Sequence, residues 1–79
     1  ESKIKLYPNP NEGVFVIDFG DRQLTNSSVL VYNSNGQIIR SISNLSFKET
    51  VDLSNAPGGL YIVQVLYGNN LNSYKVLKK

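Results

Sequence analysis

The sequence has no cysteine, histidine, methionine or tryptophan among its 79 residues. Without cysteine, no disulfide can stabilise the fold, and no thiolate can act as a nucleophile or bind a metal. Without histidine, the commonest acid–base catalyst and transition-metal ligand is missing. The six acidic residues are scattered, so no spaced run provides the several oxygen ligands of a calcium site. We therefore expect no catalytic residue, no metal site and no cofactor, and we predict that the chain is not an enzyme.

Charge and hydropathy argue against two further classes of protein. The net charge is only +2, and the basic residues are scattered apart from a few at the end, whereas a nucleic-acid binder carries a basic stripe. No apolar run is long enough to cross a membrane as a helix, and no signal peptide is present. The length suits one domain with a small core. We expect a monomer that neither binds nucleic acid nor inserts into a membrane.

The stretch 54–67 organises the chain, because it joins the strongest turn signal to the longest apolar run. Pro57 suits the second position of a β-turn, and Gly58 can adopt the positive φ that a type II turn needs next. Residues 60–67 are rich in β-branched and aromatic side chains and are mostly apolar on both faces. Such a strand is either central and covered on both sides, or it presents an outer face to a partner.

Six other segments have the pattern of strands and are separated by turn residues. They are residues 3–7, 14–19, 29–32, 37–42, 47–53 and 71–77. Asn35-Gly36 predicts a hairpin between two of them, because both residues tolerate positive φ. No window has a sustained helical period, so we predict an all-β, immunoglobulin-like antiparallel sandwich of about seven strands in two sheets. The predicted core is Phe15, Ile17, Val29, Val31, Val51, Leu53, Tyr61, Val63 and Val65.

Several polar residues fit turns better than a site. Asp18 and Asp52 each end a predicted strand beside turn residues, so we expect their carboxylates to make Asx-turn contacts. Asn26 and Asn44 each begin the N-x-S pattern of a glycosylation acceptor. Because the pattern is short and the chain is rich in asparagine and serine, chance is sufficient to explain both matches.

The order of the short motifs along the chain is more specific than any one of them. A Phe-x-Ile-x-Phe strand occupies 15–19 and a Lys-Val-Leu-Lys tail occupies 75–78. The other motif residues are, in chain order, Tyr7, Pro8, Asn9, Pro10, Gly13, Gly36, Gly59 and Tyr61. Over residues 4–79, this order closely resembles the type A C-terminal sorting domain of the type IX (Por) secretion system of Bacteroidetes-type bacteria.

The resemblance implies a function without chemistry of its own. Such domains are small β-sandwiches at the C-terminus of exported cargo, which they target from the periplasm across the outer membrane through the type IX translocon. The translocon and its outer-membrane shuttle protein recognise the folded domain, and a sortase-like surface protease usually removes it by a cut just upstream. The cargo is then released or joined to an anionic lipopolysaccharide. We therefore expect one sorting domain over 1–79, with residues 1–3 as a linker from upstream cargo.

The terminal strand is the leading candidate for recognition by the translocon. The candidate recognition residues lie at the end of the sequence and are Lys75, Val76, Leu77, Lys78 and Lys79. A terminal strand can lie at a sheet edge, where its unpaired backbone groups add to a partner's sheet while the ammonium groups steer the approach. The alternative is that the lysines only protect an edge strand and keep the domain soluble.

Two other functions also fit a small sandwich. The first is an adhesion or carbohydrate-binding module fused to a secreted enzyme, for which Tyr7 and Tyr74 are the candidate exposed aromatic residues. The second is a stalk module in a surface protein, which can recur inside a chain, whereas a sorting domain is terminal.

Phe15 tests the assignment of strand faces. Replacing Phe15 by alanine should lower the free energy of unfolding by about 3–5 kcal/mol, because removal of a buried aromatic side chain leaves a cavity. Chemical denaturation of the purified domain measures the change. A loss below about 0.5 kcal/mol, typical of a surface position, would show that the face of this strand is wrong.

Overall fold

The computed structural model describes residues 4–20 and 26–79, and the predicted linker at 1–3 lies outside them. The described residues form seven strands and no helix, as the alternating patterns predict. The strands are β1 (Lys5–Tyr7), β2 (Val14–Asp18), β3 (Ser28–Tyr32), β4 (Ile38–Ser43), β5 (Lys48–Asp52), β6 (Gly59–Tyr67) and β7 (Asn70–Lys78).

The strands pair antiparallel and form two sheets. One sheet has the order β1-β2-β5, and the other has the order β4-β3-β6-β7. The organising strand β6 is central in the larger sheet, where it pairs with β3 and β7. Strand β7 lies at the edge and pairs with β6 from Gly59↔Lys78 to Tyr67↔Asn70. The predicted sandwich is confirmed, and β6 and β7 form a hairpin at the end of the sheet.

The core is made of alternate strand residues from both sheets. Along β2 and most of β6, buried side chains alternate with more exposed ones, as expected of strands with one face in the core. Every predicted core residue is buried, and Phe15, Val29 and Val63 are at most 1% exposed. The cluster also contains Ile4, Phe19 and Val76.

The predicted β3–β4 hairpin is present, but its turn differs from the expected one. Of Asn35 and Gly36, only Gly36 adopts a positive φ, of 82°. The Gly36 N–H donates to the Asn33 carbonyl oxygen at 3.0 Å, and the Asn33 N–H donates to the Gln37 carbonyl oxygen at 2.9 Å. These bonds define a three-residue loop whose last residue is left-handed. The longer loop is accompanied by a register shift at Ile39, whose side chain packs against the core.

The turn at Pro57 is also built differently from the prediction. Gly58 does not adopt a positive φ, whereas Gly59, the first residue of β6, has a φ of 144°. The type II turn with Gly58 at its third position is therefore wrong. Gly58 is constrained by space, because a Cβ there would lie 3.3 Å from the carbonyl carbon of Lys79. The turn thus packs against the C-terminal end of β7.

The two aspartates make the predicted Asx turns. Asp18 Oδ1 accepts a hydrogen bond from the Gly20 N–H, and Asp52 Oδ1 accepts one from the Ser54 N–H, both at 2.9 Å. Hydrogen bonds from the Ser54 hydroxyl and then from its N–H hold the pKa of the Asp52 carboxyl below its ordinary value. Asp52 therefore serves the turn after β5.

Gly59 provides a test of the turn into β6. Replacing Gly59 by alanine should lower the free energy of unfolding by about 1–3 kcal/mol, because an L-residue is strained at this φ. The added Cβ would meet no other atom within 4 Å, so strain is the only cost. Asn55→Ala, at an exposed position in the same loop, is the control and should change stability by less than about 0.5 kcal/mol. Equal urea midpoints for the two variants would contradict the backbone geometry at Gly59.

Candidate recognition surface

The predicted recognition residues occupy the end of the edge strand β7 and point to two sides of it. Val76 and Lys78 are buried, whereas Lys75, Leu77 and Lys79 are exposed. This alternation follows from the pleat of a strand whose inner face meets the core. Only the exposed members can contact a partner while the strand remains in place.

Lys78 is part of the fold and does not offer a free charge at the surface. Its side chain is 8% exposed, and its Nζ donates hydrogen bonds to the carbonyl oxygens of Ser54, at 3.3 Å, and Ala56. A buried ammonium group needs such partners, because burying a charge without them is strongly destabilising. Of the three lysines in the predicted recognition patch, only Lys75 and Lys79 are exposed, and their contact with a partner stays a prediction.

Residues 8–11, which we call the strap, cover the outer edge of β7 near its end. The Asn9 side chain donates from Nδ2 to the Lys75 carbonyl oxygen at 2.9 Å, and its Oδ1 accepts from the Leu77 N–H at 3.0 Å. The Asn11 N–H donates to the Leu77 carbonyl oxygen at 2.9 Å, and the Asn11 carbonyl oxygen accepts from the Lys79 N–H at 2.8 Å. Asn9 and Asn11 therefore pair both backbone groups of Leu77, the N–H of Lys79 and the carbonyl oxygen of Lys75, so most of the edge at the predicted recognition residues is closed.

Asn11 fixes the shape of the strap, a role that sequence reasoning missed. Its side chain is only 3% exposed. The Nδ2 atom donates to the Pro8 carbonyl oxygen at 3.2 Å, and Oδ1 accepts from the Gly13 N–H at 2.8 Å. An asparagine next to a proline predicts a turn. This local pattern does not predict that Asn11 contacts the last strand, which is far away in the sequence.

The strap brings separate parts of the family motif together. A Cβ on Gly13 would lie 2.9 Å from the Cα of Ser54, so the exit of the strap packs on the turn after β5. The Tyr61 hydroxyl donates to the Pro57 carbonyl oxygen and holds the next part of that turn. The motif residues before β2, the turn into β6 and the end of β7 therefore form one site. Gly36 instead shapes the β3–β4 hairpin.

The outer face of the larger sheet carries pairs of leucines along β6 and β7, and nothing in the described part of the chain fully covers them. Leu60 stands opposite Leu77 across the β6–β7 pair, and Leu66 stands opposite Leu71. Leu60, Leu71 and Leu77 are 42%, 56% and 44% exposed. Of the two alternatives for the organising strand, the structure therefore supports an outer face available to a partner, since grouped exposed apolar side chains mark interaction surfaces.

The two tyrosines proposed for sugar binding differ in exposure. Tyr7 is exposed, but Tyr74 is half-buried and packs against the core, so the expected exposure of Tyr74 is wrong. A stacking platform needs aromatic faces that are open to solvent. The structure therefore gives no support to a platform built on this pair.

Comparison with known protein families decides which kind of domain carries this site. The family model for the secretion system C-terminal sorting domain matches residues 5–79, which include all seven strands and the strap. The chain belongs to this family. No curated protein matches it.

Membership places the sorting domain in type IX secretion and confirms the resemblance seen in the sequence. The protein that carries it is a secreted one, exported to the cell surface or the extracellular space. The family is one of sorting signals and not of enzymes. Within residues 4–20 and 26–79, no three His, Cys, Asp or Glu side chains are grouped to hold a metal ion. The same residues contain no helix that is long and apolar enough to cross a membrane.

A substitution of Lys78 tests whether its buried side chain stabilises the fold. Replacing Lys78 by glutamine should lower the free energy of unfolding by about 1.5–3 kcal/mol, because the shorter side chain leaves the hydrogen bonds to the turn at 54–56 unmade. Lys79→Gln removes the same charge from an exposed neighbour and should cost less than about 0.5 kcal/mol. Urea denaturation compares the two variants, and equal midpoints would contradict the buried position of Lys78.

Proposed function

We propose that the domain directs a cargo fused upstream of it from the periplasm through the type IX translocon in the outer membrane. The translocon and its outer-membrane shuttle protein recognise the domain in its folded state. A sortase-like surface protease then cuts upstream of the domain and separates it from the cargo. Ile4 is buried in the core, so a cut before this residue keeps every described core residue in the sorting domain.

Membership of the sorting-domain family supports this proposal, and the hydrogen bonds between the strap and the end of β7 define the surface that we propose for recognition. They join residues from the two ends of the domain, so the surface that they form exists only after folding. A recognition site of this kind lets the machinery distinguish a folded sorting domain from an unfolded chain with the same terminal sequence.

The exposed residues of this surface combine charge and apolar area. Lys75 in β7 and Lys79, the residue after β7, are exposed on either side of Leu77 along the chain. Lys79 also lines a shallow depression with the two strap prolines and Val14. Exposed cations beside apolar side chains suit a partner with an acidic and apolar surface, because complementary charges steer the encounter and fix the orientation.

Export of a reporter protein tests the proposal. A periplasmic reporter with its own export signal, fused before residue 1, should reach the cell surface in a strain with a working translocon. Deletion of residues 74–79 should leave the reporter in the periplasm, because it removes the recognition surface and part of a paired strand. Surface labelling and cell fractionation measure the distribution. Normal surface display after the deletion would overturn the sorting function.

A second pair of variants tests the contribution of the exposed lysines. Changing Lys75 and Lys79 to glutamine should leave the fold intact and lower export severalfold, because both ammonium groups are exposed and steer the approach. Changing Lys5 and Lys48 to glutamine alters the net charge by the same amount at exposed positions in the smaller sheet and should leave export unchanged. Equal export of the two variants would remove the lysines from the mechanism.

A further inference from the structure

The strap divides the outer edge of β7 into a covered part and an open part. In this strand the backbone groups of alternate residues point away from β6, and the strap bonds show that these are the odd-numbered residues. The strap forms hydrogen bonds with the carbonyl oxygen of Lys75, with both backbone groups of Leu77 and with the N–H of Lys79. By the same alternation, both backbone groups of Leu71 and Ser73 and the N–H of Lys75 point outward, and no described residue pairs with them.

We infer that this open edge, residues 71–75, receives one extended strand of the secretion machinery, with an acidic side chain of that strand next to Lys75. The inference rests on the proposed sorting function and specifies how the partner binds. Unpaired groups along a sheet edge are a template for a further strand, and strand addition of this kind supplies affinity through backbone hydrogen bonds.

The length of the added strand is fixed at both ends. The Asn9 side chain occupies the Lys75 carbonyl oxygen, so pairing cannot continue past this residue while the strap is closed. The turn between Tyr67 and Asn70 ends the edge on the other side. The open edge is therefore about five residues or ~17 Å long, at about 3.4 Å per residue. Such a short pairing gives a weak and reversible contact, which suits a signal that is released after passage.

The side chains beside the open edge define the chemistry of the partner. On the exposed side, Leu71 stands next to Leu66, so an added strand with apolar residues on that side would extend the apolar outer face of the sheet. Strand β7 contains no acidic residue, and Lys75 is the charged residue within the open edge. An acidic side chain opposite Lys75 is favoured, since opposite charges on neighbouring strands stabilise the pair.

A proline substitution tests strand addition without removing a core contact. Ser73→Pro deletes an outward N–H and leaves the hydrogen bonds to β6 in place, and edge strands tolerate proline where the N–H faces solvent. The matched control is Thr50→Pro in the edge strand β5. Thr50 is exposed. Its N–H also points outward, because the odd-numbered residues Phe47 and Leu53 bond to Phe19 and Gly13 at the two ends of β2, and backbone groups alternate in direction along a strand.

Reporter export and thermal unfolding are measured for both proline variants. Both should melt close to the wild type; Ser73→Pro should reduce surface display at least severalfold, and Thr50→Pro should not. A folded Ser73→Pro variant that is exported normally would overturn strand addition, whereas absence of export for the wild-type fusion would overturn the sorting function itself.

Two further measurements cover the remaining outcomes. If Ser73→Pro does not fold, Lys75→Glu replaces it as the test. Reduced export of Lys75→Glu supports an acidic side chain of the partner next to residue 75, and normal export overturns the proposed partner strand.

Sedimentation of the purified wild-type domain tests whether a second copy of the chain occupies the edge instead. A monomer at micromolar concentration is expected, and a dimer that Ser73→Pro dissociates would contradict a strand from the machinery.

Discussion

The bonds between the strap and the last strand join the two ends of a chain that has no disulfide. The strap follows β1 of the smaller sheet, and it pairs with the edge of β7 in the larger sheet, so these hydrogen bonds connect the two layers of the sandwich. A domain of this size buries only about 60% of the surface of its unfolded chain, so its core leaves little reserve of stability. The position of every exposed residue at the end of β7 depends on this closure.

The strand pattern and the core follow from the sequence because both depend on local alternation. Apolar residues at every second position place Phe15 and Val63 inside without knowledge of their partners. Two turn details are not determined in this way. Gly36 and Gly59 adopt the left-handed conformations, whereas Asn35 and Gly58 do not, because loop length and the packing of Gly58 on the terminal backbone decide between neighbouring residues.

The candidate site depends on contacts that no local pattern encodes. Asn9 bonds to backbone groups 66 and 68 residues further along the chain, and Lys78 bonds to carbonyl groups 22 and 24 residues before it. Residue type predicts that a terminal lysine is exposed. Lys78 is buried instead, because its ammonium group donates to carbonyl oxygens in the turn at 54–56. Only the three-dimensional fold brings this turn close to Lys78. The same fold confirms that β7 is an edge strand and limits its open part to a few residues.

Amide hydrogen exchange of the native domain, followed residue by residue by NMR, tests the closure of the two ends most directly. The amides of Leu77 and Lys79 donate to the strap, so they should exchange slowly. The amides of Leu71 and Ser73 in the same strand face solvent and should exchange rapidly, which makes them an internal reference. Equal, rapid exchange at all four positions would show that the strap does not hold the last strand, and would contradict a recognition surface built from both ends of the domain.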